Sequence, residues 1–359
     1  MLEKTIQTIL DKHEISYMDI LVKEGYQTKF RFLSPNANGM EKMQVYSMSK
    51  GLTVAAAMGL VEQGKLSLED RVADYFPCFE QTFYEEKGEK QPNREPIRIW
   101  NLFTMTSGLS YDVESKEILE VTERLGQKAK LQDYVPALAK TPMSFPVGEK
   151  FQYSLSHDLL AAVVEKVTDM PFDAYVKKAI FDPLGMEHST FQNETEGLFP
   201  LLSCDADGVI TDAPRKNVLL FSDSYISGGA GLNTTVEDYS TFASVLANGG
   251  TAKDGYQLLS KHTVEQITKP LLQWDFLKEE LTWLPPEYGY GLGVRVRTTD
   301  TPWGLHKGEF GWDGAAGSFW LCDPARKVSI VMGMNILWWE NRYCGIHFEI
   351  LKQLYQELF

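Results

Sequence analysis

Ser47 and Lys50 stand three residues apart in "VYSMSKGLTVAAAMGLVEQGKLSL", Val45 to Leu68. Residues spaced i and i+3 share a helix face, so the Lys50 amine can reach the Ser47 hydroxyl. A serine hydroxyl is a weak nucleophile until a neighbouring base takes its proton. Burial disfavours an ammonium and moves a lysine towards the range of a useful base. A helix N-terminus adds free N–H groups and partial positive charge where oxygen would develop negative charge. The pair has the parts for acyl transfer. As a polar cap on an ordinary helix, it would do none of this.

The elements around the pair must hold it out of water. Leu52, Val54, Ala55, Ala56, Ala57, Leu60 and Val61 make the following run apolar nearly all round, which predicts a buried helix starting near Ser47 and ending at Gly64. "YMDILVKEGYQTKFRFL" predicts two strands about Glu24-Gly25, with Ile20, Val22, Phe30 and Phe32 alternating with polar neighbours. "SFWLCD" and "VSIVMGMN" predict two more strands near the other end, separated by a turn at Pro324. Helical spacing recurs in "MLEKTIQTILDKH" and in the closing "CGIHFEILKQLYQELF". The expected fold is α/β (α+β): one antiparallel sheet flanked by N- and C-terminal helices, with a mostly helical domain inserted.

Residues 1–75 and 215–359 are assigned to the sheet and 76–214 to the helical part, with the site between them. Within the middle of the chain, Ser67 with Asp70 and Thr235 with Asp238 have capping spacing, and Gly249-Gly250 should end the second helix. "EEKGEKQPNREP" is polar and rich in breakers, and is expected to be an exposed loop.

Five ordered blocks give the pair its company: the Ser47–Lys50 stretch, "IRIWNLFTMTSGL", "FQYSLSHDLLAAVVEKVTDM", "GGAGLNTTVEDYSTFASVLANGG" and "EFGWDGAAGSFWLCDP". Together they resemble the serine β-lactamase and penicillin-binding-protein superfamily, and within it the class C β-lactamase-like branch that includes esterases and D-stereospecific peptidases. The resemblance runs from about Ile15 to Asn335. It implies a β-lactamase/transpeptidase-like fold in which Ser47 is acylated, Lys50 accepts its proton and Tyr153 shuttles a proton to the leaving group. It also implies an oxyanion hole made by the backbone N–H groups of Ser47 and Ala315.

Three departures from the family pattern bear on the substrate. Leu155 stands where class C enzymes carry an asparagine two residues after the tyrosine. Ser222-Asp223-Ser224 imitates a Ser-Asp-Asn element, but serine takes the asparagine place. The Lys-Thr-Gly or His-Thr-Gly element, on an edge strand beside the nucleophile, becomes Trp312-Asp313-Gly314. Trp312 supplies no charge, and Asp313 is expected to repel a substrate carboxylate if it faces the pocket. At about 4 Å two like charges cost on the order of 4 kcal/mol under surface-like screening. A Trp-x-Gly variant is similar to that of esterase members. Gly314 and Gly317 leave room for a substrate at the strand.

The expected activity is that of a carboxylesterase forming an acyl-enzyme. β-Lactamase or D-stereospecific peptidase activity, acyl transfer, and a non-catalytic binding protein of the same fold are the rivals. No metal or organic cofactor is expected, and the partner is a small-molecule ester or amide, with the chain treated as a monomer. The net charge of −14 disfavours nucleic acid and anionic membranes. Cys78, Cys204, Cys322 and Cys344 form no Cys-x-x-Cys clip and are expected to be free thiols. The acidic, helical N-terminus is unlike a signal peptide and no apolar run spans a bilayer, so a cytoplasmic location is expected. His157 and Asp158 invite a Ser-His-Asp reading, but their place suits a helix start. Trp274, Trp283, Trp303, Trp338 and Trp339 are candidates for lining an apolar cleft. Gly-x-Ser-x-Gly, His-Glu-x-x-His and Walker motifs do not occur.

Overall fold

The computed structural model describes residues 1–193 and 195–359. Strands β1 (Asp19–Glu24), β2 (Gln27–Leu33), β3 (Tyr288–Tyr290), β4 (Arg295–Arg297), β5 (Phe310–Asp313), β6 (Phe319–Asp323) and β7 (Val328–Gly333) form a sheet in the order β2-β1-β7-β6-β5-β4-β3. Every neighbouring pair in it is antiparallel. The two ends of the chain meet where β1 pairs β7, with Ile20 opposite Met332 and Val22 opposite Ile330.

Helices α1 (Leu2–His13) and α5 (Ile346–Leu358) pack together against one face of this sheet. Their Leu2, Ile6, Leu10, Ile350 and Leu354 share a core with Ile20, Val22, Leu321, Ile330 and Met332. Helix α4 (Val236–Ala247) covers the other face, bringing Tyr239 and Phe242 against Trp320. β1 is therefore buried on both faces rather than alternating with solvent. Its polar members are paired instead: Asp19 with Arg31 at 2.6 Å and Lys23 with Glu237 at 2.9 Å.

Behind α4 lies the helical part of the core. α2 (Ser49–Glu62) packs against α3 (Ser156–Thr168), and the apolar sequence of α2 reflects its burial on nearly every side. Thr235 caps α4 by accepting the Asp238 N–H at 3.2 Å, and Gly249 and Gly250 follow its end with φ of 78° and 90°. Such positive φ values cost glycine no Cβ clash.

Two local expectations change. Asp70 accepts the Ser67 N–H at 2.8 Å within a turn, and the short helix Val72–Tyr75 begins only after Arg71. The segment expected to be a loop instead holds an exposed hairpin, with Phe83–Glu86 paired to Glu89–Pro92. Its turn is Lys87-Gly88, both with positive φ, and backbone pairing satisfies the polar groups of a charged sequence.

Candidate active site

Ser47 lies in a single 3-10 turn, Tyr46–Met48, and α2 begins at Ser49. The pair thus straddles the junction between the turn and the helix, rather than occupying one continuous helix. Tyr46, immediately before Ser47, has a φ of 45°, a left-handed conformation that is costly for a bulky residue. Surrounding bonds fix it. Val45 N–H donates to Leu232 O at 3.1 Å, and Tyr239 Oη donates to Met48 O at 2.8 Å. At Gly51, one turn into α2, a Cβ would sit 2.8 Å from Tyr239 Oη and 3.0 Å from Trp320, so glycine permits this close packing.

Lys50 is fully enclosed and donates to Ser47 Oγ at 3.1 Å and to Gly229 O at 2.8 Å. Burial pulls its ammonium down to about 7, with Asp158 opposing the shift. Asp158, also buried, accepts from Ser227 Oγ at 2.6 Å and Tyr225 Oη at 3.0 Å. A methyl group at Gly229 would meet Asp158 Oδ2 at 2.4 Å and Lys50 Nζ at 3.5 Å. The glycine therefore lets carboxylate, carbonyl and amine crowd together. Among the described residues His157 makes no side-chain hydrogen bond to these groups. It is buried in the first turn of α3, and burial, with Lys50 also disfavouring the charged form, holds its imidazole neutral, down to about 3.

Tyr153 arrives from the loop before α3. Its ring stacks between Tyr111 and Trp312, with centroids 5.7 Å from each. Trp312 Nε1 donates to Tyr153 Oη at 3.0 Å, and Lys50 Nζ lies 4.6 Å from the ring centroid. Burial raises the Tyr153 phenol above its usual range, although bonding to Ser47 and Trp312 works in the other direction. Tyr153 therefore rests protonated, with Lys50 the group poised to accept a proton at neutral pH.

β5 is an interior strand, not an edge strand, but only Phe310 and Gly311 pair with β4. Trp312 and Asp313 run past that pairing and reach the pocket unflanked on that side. Asp313 is sequestered there. Its carboxylate accepts from Arg295 Nη1 at 2.8 Å, and Arg295 also stands 4.0 Å from Glu309. Burial raises the Asp313 carboxyl to about 6 and Glu309 to about 7, against the pull of Arg295. The expected repulsion of a substrate carboxylate by Asp313 is thus largely cancelled by the guanidinium behind it. Sequence inspection missed Arg295, whose partner is 18 residues away and adjacent only across the sheet.

The turn after β5 is tightly tied. Gly314 N–H donates to Ser318 O at 2.7 Å and Gly317 N–H to Gly314 O at 2.8 Å. Trp339 Nε1 donates to Gly314 O at 3.1 Å, and a Cβ on Gly314 would lie 2.3 Å from Val45 O. Among the described residues, Ala315 N–H donates to no other group. Ser47, Tyr153, Trp312, Asp313, Gly314 and Ala315 all border one cavity of about 400 Å³. Tyr111, Leu219, Leu281 and Glu340 join them, as do Trp283 and Trp338 of the tryptophans expected in a cleft. The other three go elsewhere. Trp303 packs on Tyr355, Trp339 is buried behind Gly314, and Trp274 does not border the cavity.

The beta-lactamase family model matches residues 20–345. The chain belongs to the beta-lactamase family. Protein Rv1367c of Mycobacterium tuberculosis is 29% identical over 348 residues, covering 90% of this chain and 82% of that protein. Two solved structures share the beta-lactamase-family fold at lower identity. EstCE1, described as a hydrolase with promiscuous acyltransferase activity, has a TM-score of 0.79 at 23% identity, covering 99% of this chain and 98% of its own. A D-stereospecific amidohydrolase from Streptomyces has a TM-score of 0.69 at 19% identity, covering 96% and 99%. Membership places the protein among serine hydrolases with the β-lactamase/transpeptidase-like fold.

All four cysteines of this beta-lactamase family member are free thiols, and no group of metal-ligating side chains occurs among the described residues. No described helix is long and apolar enough to cross a membrane.

Proposed function

We propose that the protein is a carboxylesterase working through an acyl-enzyme on Ser47. The observation that carries this reading is the enclosed Lys50 amine, 3.1 Å from Ser47 Oγ and, among the described residues, hydrogen-bonded only to neutral groups. Neutral Lys50 takes the Ser47 proton as Oγ bonds to the ester carbonyl carbon. The N–H groups of Ser47 and Ala315 hold the oxyanion. As the tetrahedral adduct collapses, the bond to the alcohol oxygen breaks. Tyr153 gives that oxygen its proton and is reprotonated from Lys50. Water then repeats the sequence on the acyl-enzyme, releasing the acid and restoring the Ser47 hydroxyl.

Esters are favoured over β-lactams by the wall beside the nucleophile. Trp312 offers an indole where relatives use a cation, its N–H is occupied by Tyr153, and Arg295 is held away by Asp313. A substrate carboxylate would find no free cation there. Transfer of the acyl group to an alcohol or amine uses the same steps with a different acceptor. A panel of p-nitrophenyl esters run beside nitrocefin and a D-Ala-D-Ala peptide tests the reading. Esters should turn over fastest, and Ser47→Ala should fall to background. Faster turnover of nitrocefin or the peptide would transfer the assignment to the lactamase or peptidase activities.

A further inference from the structure

The cavity that receives the substrate has an unusual wall. Five aromatic side chains border it: Tyr111, Tyr153, Trp283, Trp312 and Trp338. Among the described residues no lysine, arginine or histidine borders it, although the Lys50 amine stands behind Tyr111 and Tyr153, 5.6 and 4.6 Å from their ring centres. The charged residues at its surface are Asp313 and Glu340. Asp313 is neutralised by Arg295 at 2.8 Å, but Glu340 forms no ion pair among the described residues. Glu340 is partly buried, and burial together with the nearby Asp313 pushes its carboxyl up to about 7. A cation beside Glu340 would favour the ionised carboxylate that burial disfavours and that a backbone hydrogen bond only partly supports.

The lip of the cavity repeats the signal independently. Trp338 has a φ of 59°, a left-handed backbone that is a genuine outlier for so large a side chain. Its N–H is tied to Ala315 O at 2.8 Å, on the turn proposed to hold the oxyanion, and the side chain is 40% exposed. Strain of this kind persists where the surroundings over-determine it, and it concentrates at ligand clamps. Here it holds an exposed indole two residues before the unpaired Glu340. Aromatic faces attract cations through their quadrupole, and a weakly hydrated cation loses least on leaving water.

We infer that Trp283, Trp338 and Glu340, beside the Tyr111–Tyr153–Trp312 stack, form a subsite for a quaternary or tertiary ammonium group carried by the substrate. This rests on the esterase reading for its catalytic consequence, but the binding itself does not depend on it. The substrate class is then a cationic ester, such as an acyl ester of a trimethylammonium alcohol, with its ester carbonyl at Ser47. An anionic acyl or alcohol portion is disfavoured by the same carboxylate.

The test compares choline chloride with 3,3-dimethylbutan-1-ol, its uncharged carbon isostere. Binding of each to the full-length protein is read by calorimetry and by quenching of tryptophan fluorescence. Choline should bind about tenfold or more tightly than the isostere, as expected for a desolvated cation against aromatic faces. In both Glu340→Gln and Trp338→Ala that ratio should shrink towards unity. Equal or weaker binding of choline by the native protein overturns the inference, as does a ratio unmoved in both variants. Competing turnover of butyrylcholine and 3,3-dimethylbutyl butyrate reads the catalytic consequence. Hydrolysis of both without preference would leave the esterase standing and remove the cation subsite. Preferential choline binding by a protein that hydrolyses neither ester would do the reverse.

Discussion

Trp312 Nε1 lies 3.0 Å from Tyr153 Oη, so a neutral indole N–H, not a charged group, steadies the oxygen of this phenol. A neutral donor steadies the tyrosine without the full charge that would also draw a carboxylate. The ring stack of Tyr111, Tyr153 and Trp312 fixes the phenol orientation at the same time. On the proposed esterase reading, tryptophan at this position bears on substrate preference and leaves the orientation of Tyr153 fixed.

Trp312→Phe keeps the stack but removes the donor. Loss of one such hydrogen bond, about 1 kcal/mol, should lower kcat for esters by about three- to tenfold with KM less affected. A KM-only effect in steady-state kinetics would show that Trp312 merely shapes the pocket.

The pH dependence follows from Lys50. In the proposed mechanism the active form is the neutral amine, which burial brings down to about 7. Raising the pH deprotonates it, so kcat/KM should climb through about 7 and level off above. Lys50→Ala should fall by a factor of about 10³ or more, the scale expected when a base and its nucleophile act as a unit. A flat profile between pH 6 and 8 for the native protein would contradict the assignment of the base.

Asp158 counteracts the desolvation of Lys50 and holds Ser227 and Tyr225. Asp158→Asn removes the charge and keeps an acceptor oxygen. Lys50 then loses the group favouring its ammonium, so the acid limb of the profile should move to lower pH. Movement to higher pH, or loss of activity with an unmoved limb, would assign Asp158 a purely structural role.

Arg295 is the stability counterpart. It is wholly buried between Asp313 and Glu309, and Arg295→Leu would leave the enclosed Asp313 without a cation and Glu309 with Arg297 alone, 3.8 Å away. Removing one partner of such a buried cluster costs about 3–5 kcal/mol, measurable in urea denaturation. Because Asp313 and Glu309 are already pushed up by burial, acidification that protonates them should narrow the gap between the variant and the native protein. A difference that widens on acidification would mean the carboxyls are not the source of the cost.

Local chemistry made part of this arrangement legible. A serine and a lysine three apart before an alanine-rich run point to an enclosed base, and the i,i+3 spacing carries the contact even though Ser47 sits in a 3-10 turn. The terminal strands and helices follow from periodicity. Arg295 with Asp313, Trp338 on the Ala315 carbonyl and Glu340 at the cavity were not legible. These relations cross a sheet or a turn, and a one-dimensional pattern holds no record of which strands become neighbours. The Arg-Val-Arg of β4 was the available hint, since two arginines flanking a strand valine must both find partners if buried. The exposed hairpin after Phe83 was missed because backbone pairing, not side-chain burial, holds it.

Fluorophosphonate labelling followed by intact-mass and peptide mass spectrometry tests the acyl-enzyme most directly. One adduct per chain, located on Ser47 and lost in Lys50→Ala while that variant keeps its circular dichroism spectrum, is the predicted result. A folded native protein that takes up no label, or that takes it on any residue other than Ser47, would contradict the assignment of the nucleophile.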